Sequence, residues 1–105
     1  MTGIPVSASV LAGAGEAARL YLRMPAGAEA AVVERAALAA CDVVRAFLGR
    51  ELAARWDDVP GPVAQAIVLL VAYLVEHREA GPVPAAVAAL LRPFRVVRLV
   101  RDTAA

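Results

Sequence analysis

The sequence predicts an all-α fold: a small antiparallel helical bundle of about four helices, followed by an extended C-terminal arm. Three observations predict it. Of the 105 residues, 61% are apolar but only 5% aromatic, and alanine supplies much of the apolar bulk, a composition that favours close-packed helices over a β-sandwich. Apolar residues recur at helical spacing in several separate stretches. One of these, Val59 to Pro84, reads as a single long helix that is apolar almost all round, with a marked start and stop. A chain of this size buries about two-thirds of its unfolded surface, enough for one core and no more. The helical body is assigned to residues 1–94 and the arm to residues 95–105.

Residues 1–8 carry Gly3, Pro5 and Ser7 and read as an irregular lead-in, with Ser9 as the expected cap of the first helix. That helix, Val10 to Arg23, has Leu11, Ala14, Ala18 and Tyr21 at helical spacing, although Gly13 and Gly15 each cost about 1 kcal/mol relative to alanine. Met24 to Gly27 forms a turn, and a second helix is expected from Ala28 to Leu48, stopped by Gly49. Its apolar face is Val33, Ala37, Ala40, Val44 and Phe47, with Glu34, Arg35, Asp42 and Arg45 on the far side. The small residues on that face allow close approach by the helix expected over 60–79. The join Arg50 to Asp58 either extends the second helix by a turn or forms a loop. It holds the only tryptophan, Trp56, which either covers the end of the core as a structural residue or stands exposed as an anchor for a partner.

The central helix starts after Asp57 and Asp58, tolerates Pro60 and Pro62 in its first turn, and is expected to end at Gly81 and Pro82. Val63, Ile67, Leu70, Val71 and Leu74 form the stripe that should meet the core. Val68, Leu69, Ala72 and Val75 form a second apolar stripe where a surface helix would be charged. The 14 uncharged residues from Pro62 to Val75 fall short of the roughly 20 that a spanning helix needs. With no basic residue before Arg19, a signal peptide is not expected either, and the reading is of a non-membrane protein made in the cytoplasm. In the fourth helix Val87, Leu90, Leu91 and Phe94 fall at i, i+3, i+4 and i+7, and Pro93 should end it near Leu91. The stretch from Phe94 to Asp102 is β-branched and basic, suited to an extended arm.

The chain has no glycine-rich phosphate loop, HExxH, paired-cysteine motif or nucleophile elbow. One cysteine and one histidine cannot make a zinc site within the chain. No catalytic, cofactor-binding or metal-binding residue is therefore assigned, and the chain is not read as an enzyme. Cys41 reads as a small buried hydrophobe. His77, within Glu76–Glu79, reads as a surface feature, and Arg78 as a structural group at the end of the central helix, reaching carbonyls or a carboxylate nearby. The 11 basic residues, all arginine, balance 10 acidic ones, so no basic face typical of a nucleic-acid reader follows from the count.

The run VPGPVAQAIVLLVAYLVEHREA followed by VPAAVAALLRPFR resembles the head-to-tail connector, or adaptor, family of tailed phages. EAARLYLRM resembles that family's first helix and its exit. The stretch from Glu29 through AFLGREL resembles its second helix, so that the likeness covers roughly residues 10–98. What the resemblance implies is a helical virion protein that assembles as a dodecameric ring under the portal and extends the channel for double-stranded DNA, without sequence recognition. It would present the attachment point for a stopper or tail-terminator protein. Related adaptors occur in gene transfer agents, and the arginine-only, alanine-rich composition fits a GC-rich bacterial source. The interval between Gly49 and the central helix is short compared with longer relatives.

A ring needs a heterologous contact, which gives the second stripe of the central helix, Val68, Leu69, Ala72 and Val75, a purpose as the ring interface. The alternative is that the first and fourth helices cover both faces of the central helix within one chain. The portal-docking arm is expected to comprise Arg92, Phe94, Arg95, Val96, Val97, Arg98, Leu99, Val100 and Arg101, with arginines at every third position. In an extended chain that spacing alternates sides and suits a strand held in a groove, the alternative being a disordered basic tail. A small helical DNA-binding or regulatory protein is the second functional reading, and an enzyme the third.

Overall fold

A computed structural model describes residues 5–25, 27–77 and 84–95, and these residues are all-helical, with no strand among them. Ser7 begins the first helix, α1 (Ala8–Leu22): it is extended, and its hydroxyl accepts the Val10 N–H at 3.2 Å. The cap thus falls two residues before the expected Ser9. Ser9 has a different use, its hydroxyl oxygen accepting the backbone N–H of Trp56 at 3.2 Å, while the Ser7 hydroxyl also donates to the carbonyl of Ala54. Two serines therefore fasten the start of α1 to the segment before the central helix. At the other end Arg23, in the left-handed region at φ 60°, closes the helix, and Met24 N–H donates to the Arg19 carbonyl at 2.9 Å.

The second helix, α2 (Ala30–Leu48), ends at Gly49 as expected, with φ 75° and its N–H donated to the Arg45 carbonyl. Its buried residues Val33, Ala36, Ala37, Ala40, Cys41, Val44 and Leu48 follow the 3.6-residue period and leave Glu34, Arg35 and Asp42 exposed. Arg45 is half-buried, not free on the far side: its guanidinium bonds Asp42 at 2.7 Å and Glu51 at 2.8 Å. That clamp holds the chain just after Gly49. The join itself is a loop with one 3-10 turn at Trp56–Asp58, not an extension of α2.

The third helix, α3 (Gly61–Glu76), begins with Pro60 as its cap residue and Pro62 in its first turn. It stops earlier than the sequence predicts. His77 is extended at φ −120°, ψ 93°; its N–H donates to the Tyr73 carbonyl at 2.7 Å, and its ring stacks on that of Tyr73 at 4.4 Å. The fourth helix, α4 (Ala85–Leu91), runs into a 3-10 turn, Arg92–Phe94, in which Pro93 cannot continue the α-helical ladder.

The core is made of small and medium aliphatic residues, with Ile67, Leu91, Val10, Val33, Val44, Val71 and Val87 among the largest fully buried. α3 packs against α1, α2 and α4, and so has cover on several sides. Val68, Ala72 and Val75 are accordingly buried at 7%, 3% and 8% exposure within one chain, and only Leu69 is half-exposed. The expectation that this stripe forms the ring interface is corrected here: neighbouring helices of the same chain already remove it from solvent.

Candidate functional site

Gly13 explains where Trp56 goes. A Cβ at Gly13 would overlap Cγ of Trp56 and stand 2.7 Å from its Cβ, so the indole lies directly on the α1 backbone and only glycine admits it. Trp56 is half-buried and packs against the core.

The predicted arm enters the described structure only at its base. Arg92 is exposed, Phe94 is half-buried against the core, and the Arg95 guanidinium lies over the Phe47 ring with its carbon 4.9 Å from the centroid. A cation on an aromatic face is worth about 0.5–1 kcal/mol at an exposed site. Arg95 is therefore held at a defined point between α2 and the turn after α4. Val96, Val97, Arg98, Leu99, Val100 and Arg101 lie outside the described residues, as does Arg78.

No polar or charged residue is buried among the described residues, and none of their His, Cys, Asp and Glu side chains form a group of three or more that could hold a metal. Burial, with the Asp42 carboxylate next, pushes the Cys41 thiol up to about 11, which keeps it protonated and a poor nucleophile at neutral pH. The hydrogen bonds that Arg45 donates to Asp42 and then to Glu51 hold it above its ordinary value. On α1, Arg19 meets Glu16 only at 3.7 Å. No described helix is long and apolar enough to cross a membrane.

What the sequence reading missed is on the outside. Leu20 and Tyr21 on α1 are 70% and 56% exposed, and Leu38 on α2 is 45% exposed. A shallow groove of about 560 Å³ runs between α1 and α2, lined by Ala8, Leu11, Ala12, Ala31, Glu34, Arg35 and Leu38. A signal was present. Leu20 follows the buried Ala18 by two residues, which is about 200° round a helix and therefore the side away from the core. No family model, curated protein or solved structure matches the chain.

Proposed function

We propose that this chain is a structural head-to-tail connector of a phage or phage-like particle, a ring-forming adaptor that sits under the portal and carries its DNA channel toward the tail. The reading rests on the sequence resemblance over residues 10–98. The structural observation that best supports it is the anchoring of the base of the expected arm. Phe94 and Arg95 are both held against the helical body, and the next residues in the sequence, 96–101, are valine, leucine and arginine in a pattern suited to a strand.

In this function the arm lies in a groove of the portal, adding backbone hydrogen bonds and pairing Arg95, Arg98 and Arg101 with carboxylates there. The helical body supplies the ring, the tail-side surface for a stopper or tail-terminator protein, and the channel wall past which double-stranded DNA moves without base readout. No bond-making chemistry is assigned to it, and its place of work is the head-tail junction of the particle.

The test is co-sedimentation with portal rings encoded in the same gene cluster. The full chain should sediment with them, whereas a chain ending at Phe94 should keep its helical circular dichroism and remain in the supernatant. A full chain that never binds portal overturns the connector reading, and a truncated chain that binds with unchanged affinity moves the attachment site into the helices.

A further inference from the structure

The most exposed large apolar side chains among the described residues belong to two helices. Leu20 and Tyr21 project near the C-terminal end of α1, and Leu38 borders the groove between the N-terminal half of α1 and the first half of α2. Both features share α1, so their relative placement is set by helix geometry. Leu20 lies roughly 12 Å along the axis from Ala12 and about a quarter turn round from it. A rigid helix cannot bend its own Leu20 into its own groove. Each chain thus carries an apolar projection and an apolar recess that cannot meet within that chain.

We infer that Leu20 and Tyr21 of one copy dock in the α1–α2 groove of a second copy, against Leu11 and Leu38. The recess, at about 560 Å³, is of the size that ordinarily takes a small ligand or a few side chains, and alanine and leucine supply five of its seven lining residues. Charge placement favours one orientation of the incoming helix. Laid parallel to α2 with Leu20 facing Leu38, it brings Arg23 to Asp42 and sets Glu16 opposite Glu34 with Arg35 next to it, one favourable contact and one balanced position. Reversed, it sets Glu16 against Asp42, carboxylate on carboxylate. Asp42 can serve both Arg45 and a second guanidinium, since a carboxylate has two oxygens and several lone pairs.

Such a contact joins one patch to a different patch, so it repeats: it closes into a ring if the rotation per copy divides a full turn, and otherwise grows as a filament. The inference deepens the connector reading by giving the ring its two contact surfaces in place of the buried stripe of α3. It depends on that reading only for closure.

Leu20→Glu and Leu38→Glu change exposed positions, so both variants should stay folded by circular dichroism. By sedimentation velocity the wild type should self-associate, and each variant alone should be monomeric. An equimolar mixture should form a dimer and nothing larger, because one variant keeps an intact groove and the other an intact projection. A wild type that stays monomeric at its highest soluble concentration overturns the inference. So does a Leu38→Glu variant that still dimerises, which would mean like patches meeting. Self-association without portal binding retires the connector reading and keeps the docking. Portal binding by the wild type, with both variants assembling as it does, retires the docking and keeps the connector.

Discussion

Gly13 and Trp56 form a pair in which a residue unfavourable to a helix is required by the tertiary structure. Gly13→Ala gains about 1 kcal/mol of helix propensity but places a methyl inside the indole, where overpacking costs about 1–3 kcal/mol. The variant should have a lower urea midpoint than the wild type, and in a Trp56→Ala background, which removes the overlap with the indole but keeps the Cβ 2.7 Å away, the same change should cost clearly less. Additive effects in that cycle would mean that the two residues do not touch in solution. Cys41 gives a second prediction, with a definite sign. Its folded value is raised to about 11 from 9.0, so the unfolded chain releases the thiol proton first as pH rises. Stability from this group is complete below pH 9 and falls between about pH 9 and 11, by up to roughly 2–3 kcal/mol. The check is the pH dependence of the denaturation free energy, which should be flatter over that range in Cys41→Ala, whatever its absolute stability.

At the scale of elements, the start of α1 is held from two directions, since Ser7 both accepts from Val10 and donates to Ala54. Ser7→Ala should lose about 1–2 kcal/mol, more than Ser9→Ala, and chemical denaturation of the two variants measures the difference. The helices themselves were legible because apolar residues at 3, 4 and 7 leave few other conformations, and Gly49 marks its own left-handed stop. The choice between Ser7 and Ser9 was not, because either can cap and only the position of the 54–56 backbone decides. α3 stops short of the expected Gly81 and Pro82, since His77 is already extended, and no glycine or proline marks that position in the sequence. Periodicity also revealed that both faces of α3 must be buried without saying by what. With α1, α2 and α4 around it, Val68→Glu and Val75→Glu should place a carboxylate in the chain's own core. Loss of helical signal by circular dichroism is expected, rather than a folded chain that fails only in assembly.

For the molecule as a whole, the proposed site divides in the same way between what a sequence can and cannot display. The apolar spacing of α4 put Phe94 on the inner face, and the structure places it half-buried there. The hold of Phe47 on Arg95 joins positions 48 apart in the chain and has no local signature. Comparing chains ended after Phe94 and after Arg95 isolates that contact: the longer should be more stable by about 0.5–1 kcal/mol, and equal midpoints in thermal denaturation would remove its role in aiming the arm. The seat of Trp56 on α1 also makes the protein its own spectroscopic probe. With a single tryptophan in the chain, emission reports whether the 50–58 connection is seated, while far-ultraviolet ellipticity reports the helices. If the two signals are lost together on heating, the connection is part of one cooperative unit. If the emission shifts to the red first, the connection lifts away while the bundle remains, and the order of events in unfolding can be followed without attaching a dye.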